Sequence, residues 1–182
     1  VSAHAGNNPA DGASALRELA HLLLYVEDLA DNERGTSVNV TTAKAGFARN
    51  VIAERAVASV DVRVLKASEA ERVTTGISDY TPRDSRVRLT VDGGLNRPPM
   101  ESTPQNMALY EEAVTVLTEM GLALEGAVVG GGSDGNFTSA LGVATLDGLG
   151  AAGSGPHARF EHIRVQETLQ RVALLTGLLT RP

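Results

Sequence analysis

Apolar residues between Asp11 and about Asp31 fall at Leu16, Leu19, Ala20, Leu23 and Val26, the spacing of one face of an amphipathic helix, with Pro9 and Asp11 marking its start. The period then changes to two. Val38, Val40 and Thr42 recur on alternate positions in residues 36–45, and Val60, Val62 and Val64 alternate with Ser59, Asp61 and Arg63 in residues 57–64. Both stretches are expected as strands with one buried face. Ser68 followed by Glu71 has the form of a capping box and opens a short helix through Val73 and Ile77. Strict alternation returns from Arg86 to Asp92, with Val87, Leu89 and Val91 on one side and Arg86, Arg88 and Thr90 on the other. The order helix, strand, strand, helix, strand becomes β-α-β-β-α-β if one more strand precedes it, the split βαβ arrangement of ferredoxin-like domains. Only Val1 to Ala5 can supply that first strand, so the expected domain lacks most of it.

The run Gly93-Gly94-Leu95-Asn96-Arg97-Pro98-Pro99 is a cluster of breakers and sets a domain boundary near residue 100. Thr103-Pro104 then supplies a cap followed by proline at the first helical position, and Tyr110, Ala113, Val114 and Leu117 form the apolar stripe of a helix that Gly121 stops. A short apolar strand at Ala127 to Val129, a Gly-rich turn, a short helix around Phe137 to Leu141 and an extended segment from Val143 to Leu146 follow. A Gly-rich loop from Gly148 to Gly155 leads to His157, and a last helix runs from about Val165 to Thr180. Alternating strand and helix suggests α/β layering for residues 101–182.

Charge and composition narrow the function classes. Lys and Arg number 16 against 22 Asp and Glu, a formal charge of -6, which argues against a nucleic-acid backbone as partner. With 3 Phe, 3 Tyr and no Trp, the core must be aliphatic and base-stacking platforms are excluded. No apolar run approaches the ~20 residues that span a bilayer, so no membrane partner is expected. The absence of cysteine removes disulfides, thiolate metal sites and a cysteine nucleophile, and it suits either redox compartment. The chain opens on Val1 without a methionine.

The densest chemical signal is Gly130-Gly131-Gly132-Ser133-Asp134-Gly135-Asn136, between a short apolar run and a helix. Such a run can aim backbone N–H groups at an anion, or simply make a tight turn. It lacks the lysine and spacing of a phosphate loop, which disfavours nucleotide binding. His157, in a Gly/Pro loop with Glu161 four residues on, is a natural metal ligand or acid–base group. His4 sits at the end of the expected first strand, while His21, on a helix, is most simply structural. No local pattern closes a metal site. A Ser133, His157 and Asp134 or Asp147 triad is conceivable, but no G-x-S-x-G elbow supports it.

Seven stretches in order nonetheless resemble one family across essentially the whole chain: Ser2-Ala3-His4-Ala5-Gly6 with Pro9; Ala43-Lys44-Ala45-Gly46 before Asn50-Val51-Ile52; Asp61-Val62-Arg63; Arg97-Pro98; Gly130 to Asp134; Leu146-Asp147-Gly148-Leu149-Gly150; and His157 with Glu161-His162-Ile163. The family is that of the zinc-dependent glutamate carboxypeptidases of the carboxypeptidase G type, acetylornithine deacetylase, succinyl-diaminopimelate desuccinylase and aminoacylase. The resemblance implies a ferredoxin-like lid that dimerises, residues 1–100, followed by the C-terminal part of an α/β catalytic domain holding two zinc ions, residues 101–182. It also implies that the chain starts within a strand of a longer enzyme whose remaining metal ligands and Glu general base lie upstream.

Residue by residue, the resemblance makes His157 a zinc ligand. His4 becomes a catalytic donor reaching from one subunit's lid to the oxyanion in the partner's active site, and Asn50 a further donor from that lid. It makes Arg63 and Arg97 carboxylate clamps, completed by backbone N–H groups of Gly131, Gly132 and Ser133. The implied reaction is hydrolysis of an amide in a small peptide or N-acyl amino acid, releasing an amino acid such as C-terminal glutamate, by a homodimer. Alternatively, the chain alone is a non-catalytic dimerisation or binding module. Two positions depart from the family: Ala53 stands where proline commonly follows Asn-Val-Ile, and His162 replaces the usual aromatic after the glutamate.

Overall fold

The computed structural model describes residues 1–123 and 125–181, which divide into two compact units, Val1–Pro99 and Met100–Pro182. The fold is mixed α and β.

In the first unit a short 3-10 turn, Pro9–Asp11, precedes helix α1, Ala15–Glu27. The helix starts four residues after Asp11 because Ser14 is the cap, its hydroxyl accepting the Arg17 N–H at 3.1 Å. Strands β1, Ser37–Ala45, and β2, Ala56–Arg63, pair antiparallel from Ser37 opposite Arg63 to Ala45 opposite Ala56, with an irregularity between Val40 and Thr42. Helix α2, Ala67–Ser78, completes the order helix, strand, strand, helix. Its core is Val26, Val38 and Val73, flanked by Leu22, Leu29, Val40, Val60, Val62 and Ile77. Each such side chain, fully buried, is worth about 1.5–3 kcal/mol.

Two sequence expectations fail in this unit. The capping box at Ser68 and Glu71 does not form: α2 is capped at Lys66 without a side-chain bond, and Ser68 lies inside the helix. Nor does Arg86 to Asp92 join a sheet. Asp84 folds its start into a turn instead, its carboxylate accepting the Arg86 N–H at 3.0 Å and its carbonyl the Val87 N–H at 2.9 Å.

Two buried carboxylates brace the unit. Glu69 accepts from Thr36 Oγ1 at 2.8 Å, Arg72 Nη2 at 2.7 Å and Arg34 Nη1 at 3.1 Å, and these bonds, led by that from Arg72, hold its carboxyl down at about 2. Glu18 accepts the Tyr80 hydroxyl at 2.6 Å and the N–H groups of Arg83 and Asp84 at 3.0 and 3.3 Å. Burial raises the Glu18 carboxyl, yet the three bonds outweigh it and leave the carboxyl lowered, while burial and this carboxylate push the Tyr80 phenol up to about 12.

The second unit is built on helices α3, Pro104–Glu119, and α5, Val165–Thr180. Thr103 caps α3 by accepting the Asn106 N–H at 3.2 Å, and Gly121 ends it at φ +70°. The helices meet through Ala113, Val116, Leu117 and Leu174. They approach so closely at Gly177 that a Cβ there would lie 2.5 Å from Val116 Cγ1. Between them lie α4, Gly135–Ala140, and the two-residue strands β3, Gly153–Ser154, and β4, His162–Ile163, which pair antiparallel. The apolar run Ala127–Val129 forms no strand: Val128 and Val129 are exposed, and among the described residues no strand pairs with them. Among the described residues no helix is long and apolar enough to cross a membrane.

Candidate functional site

The segment Ala3–Ala5 runs beside Asn50–Ile52. Ala5 donates its N–H to the Asn50 carbonyl at 2.8 Å, Ile52 donates to Ala3 at 2.9 Å, and His4 pairs with Val51 as an isolated antiparallel bridge. This remnant of the expected first strand sets His4 opposite Val51 and Ala5 beside Asn50, and His4 and Asn50 are both exposed. The His4 ring is anchored as well, because its Nδ1 accepts the Gly6 N–H at 3.1 Å and the Asn7 N–H at 3.0 Å. A shallow open groove of about 530 Å³ runs nearby, lined by Leu16, Phe47, Arg49, Val51 and Ile52 among others. Neither His4 nor Asn50 lines it, so this hollow and the candidate chemistry do not coincide.

Arg63, at the end of β2, holds Asp61 in a two-pronged ion pair, Nε to Oδ2 at 2.8 Å and Nη2 to Oδ1 at 3.1 Å. The Asp61 carboxylate raises the guanidinium further above its ordinary value. A second carboxylate at Arg63 must therefore compete with Asp61, a pair exposed enough to be held weakly. Arg97 lies exposed in the bend at residues 96 and 97.

In the second unit the Gly-rich run is anchored at its downstream end. Ser133 donates its N–H to Asn136 Oδ1 at 2.8 Å, and its hydroxyl accepts the Gly135 N–H at 3.1 Å. The Ser133 N–H is therefore taken, and among the described residues the Gly131 and Gly132 N–H groups make no hydrogen bond. A Cβ at Gly130 or Gly131 would meet nothing within 4 Å, so no steric demand within the unit requires glycine there.

His157 sits in the turn between β3 and β4 at φ +65°, the one non-glycine residue with positive φ among the described residues. A left-handed conformation costs about 1–2 kcal/mol for a side chain with a Cβ, and such outliers gather at functional sites. The turn is tied down by the His157 N–H to Glu161 Oε2 at 3.3 Å, Ala158 N–H to Gly155 O at 2.9 Å and Arg164 N–H to Ala152 O at 2.8 Å. His162 lies in β4, with Nδ1 3.0 Å from Phe160 O and Nε2 3.2 Å from Ser154 Oγ. No hydrogen bond among the described residues joins His157 to Gly131–Ser133.

Metal binding can be tested directly on these side chains. Among the described residues no three His, Asp or Glu side chains converge as a cation site, whereas a catalytic zinc takes three protein ligands. His157 alone does not make such a site.

One positioning residue escaped the sequence. Buried Asn106 donates Nδ2 to Ser139 Oγ at 2.8 Å and to Glu101 O at 2.9 Å, and accepts the Thr145 N–H at 2.8 Å. It fastens α4 and the 143–147 segment to α3. Only its place three residues after the Thr103 cap hinted at it.

Residues 1–84 match the family model of the peptidase dimerisation domain. Over 98% of its length the chain is 26% identical to carboxypeptidase G2 of Pseudomonas sp. (strain RS-16), of which it covers 44%. Over 35% of its length it is 39% identical to indole-3-acetyl-aspartic acid hydrolase of Enterobacter agglomerans, covering 15% of that protein. Among solved structures, aminopeptidase PepT from Bacillus cereus superposes with a TM-score of 0.72 at 19% identity over 97% of this chain and 48% of that one. A tripeptidase from Staphylococcus aureus gives 0.69 at 20% identity, over 97% and 47%. The chain thus spans less than half the length of the curated relatives it matches.

Proposed function

We propose, from the premise that residues 1–84 belong to the peptidase dimerisation domain family, that this chain forms the lid and part of the catalytic domain of a homodimeric metal-dependent amide hydrolase. Residues 1–100 are the lid and residues 101–182 the catalytic portion. The substrate is a small peptide or N-acyl amino acid whose leaving amine carries a free carboxylate. One relative's name, a carboxypeptidase, supports release of a C-terminal amino acid, and the other's, a hydrolase of indole-3-acetyl-aspartic acid, supports an acidic one.

The observation that carries this reading is the pairing of Ala3–Ala5 with Asn50–Ile52, which fixes the His4 backbone against Val51, next to Asn50, within the matched residues. Hydrolysis of an amide builds negative charge on the carbonyl oxygen. A donor already in place is worth about 2.7–4 kcal/mol there, and His4 and Asn50 supply donors to the partner subunit's site. The planar guanidinium of Arg97 suits a substrate carboxylate, and so, in the second unit, do the unpaired Gly131 and Gly132 N–H groups. Arg63 can take such a role only by releasing Asp61. His157 contributes one zinc ligand, and the other ligands come from residues outside these 182. On this reading the 182 residues alone bind zinc weakly and hydrolyse nothing.

The test is a chimera in which this chain replaces the matching 44% of carboxypeptidase G2. It should hydrolyse an N-acyl glutamate and lose that activity to a chelator. A folded, dimeric chimera that hydrolyses no N-acyl amino acid contradicts the proposal and favours the stand-alone dimerisation module.

A further inference from the structure

We infer that the turn formed by Gly6 and Asn7 is a positioning device that holds His4 in its Nε2–H form, so that the exposed ring nitrogen offers a hydrogen bond rather than a lone pair. A neutral imidazole has one donor and one acceptor nitrogen. In this chain Nδ1 is the acceptor, because two backbone N–H groups, from Gly6 at 3.1 Å and Asn7 at 3.0 Å, converge on it. A proton on Nδ1 would face both of them. The main chain is fixed at the same point, since the His4 carbonyl accepts the Asn8 N–H at 3.1 Å while His4 pairs with Val51.

The ring is therefore set by main-chain N–H groups of its own turn, and the backbone by Asn8 and the bridge to Val51. The consequence is a choice of ligand class. An Nε2–H group binds an acceptor, above all an anionic oxygen, whereas a metal ion or a hydroxyl proton requires the lone pair that this form does not expose. That the acceptor is the oxyanion of an amide hydrolysis rests on the function proposed above; the state of the ring does not.

Long-range proton–nitrogen correlation spectra of the ¹⁵N-labelled chain test this, recorded well above the ordinary imidazole pKa of ~6.5. The His4 Nδ1 should resonate at the unprotonated limit and Nε2 at the protonated limit. Asn7→Pro, which removes one donor, should draw the two resonances toward those of histidine in an unfolded peptide. Asn7→Ala, which keeps the N–H, should leave them in place. Resonances of wild-type His4 that match the unfolded peptide, or an Nδ1–H form, would overturn the inference. So would an Asn7→Pro spectrum identical to wild type in a folded protein. The oxyanion reading fails separately, if His4→Ala leaves the turnover of the chimera intact.

Discussion

The two units place their polar groups differently. Val1–Pro99 buries charge: Glu69 is held by Thr36, Arg34 and Arg72, and Glu18 by Tyr80 and two backbone N–H groups. Met100–Pro182 has a neutral amide, Asn106, at the corresponding task, and its core is four small or medium aliphatic residues. Helix α5 stands apart from the others: one of its 16 residues, Leu174, is buried, against three of the 13 in α1, three of the 12 in α2 and four of the 16 in α3. Val165, Leu169, Val172 and Leu179 of α5 are all more than half exposed. Helix α5 of the second unit thus carries more apolar side chain than it covers.

That contrast can be broken by separating the units. Residues 1–99 alone should unfold in one cooperative transition, while residues 100–182 alone should bind a hydrophobic dye and lack a sharp transition. Equal cooperativity in the two pieces would remove the distinction. Within the whole chain, Leu174→Ala should cost the second unit about 2–5 kcal/mol in urea unfolding, because the side chain is fully enclosed. The first unit's transition should stay in place.

Acid should act in the opposite sense. The bonds to Glu69 and Asp84 lower their carboxyls from 4.5 and 3.8 to about 2. Their stabilisation is therefore complete above those ordinary values and is lost as pH falls from there toward 2. The first unit should lose stability over that window more than the second, and Glu69→Gln should flatten its pH dependence. Tyr80 works at the other end. With its phenol raised from 10.0 to about 12, its contribution is present below 10.0 and fades as pH rises through that interval. The smallest effect is one the units share. Ser14→Ala and Thr103→Ala each remove a helix cap and should cost ~1 kcal/mol apiece, read from the urea midpoint of the unit concerned.

Much of this architecture is legible in local pattern. Period two located β1 and β2, Thr103-Pro104 and Gly121 bounded α3, and the last helix runs from Val165 to Thr180 as the spacing predicts. What escaped depends on groups distant in sequence. The alternation from Arg86 to Asp92 specifies a two-faced extended segment but not a neighbour to pair with, and here none is supplied. Ser68 and Glu71 have capping-box spacing, yet Glu69 between them is drawn to Thr36 and Arg34, more than thirty residues away, and α2 begins at Ala67 instead. Among candidate site residues, the Ser133 N–H is bonded to Asn136 and the Arg63 guanidinium to Asp61, contacts that spacing alone does not announce. His157 was legible as a loop histidine but not as a left-handed one.

The proposed roles of His4, as donor to the reacting oxygen, and of His157, as a metal ligand, have different signatures. Measuring turnover and bound zinc together in the carboxypeptidase chimera separates the two roles. His4→Ala should lower turnover about 10²–10³-fold with its zinc content unchanged, and His157→Ala should lose zinc and turnover together. Parallel loss of zinc and turnover in His4→Ala, or full zinc occupancy in His157→Ala, would contradict them.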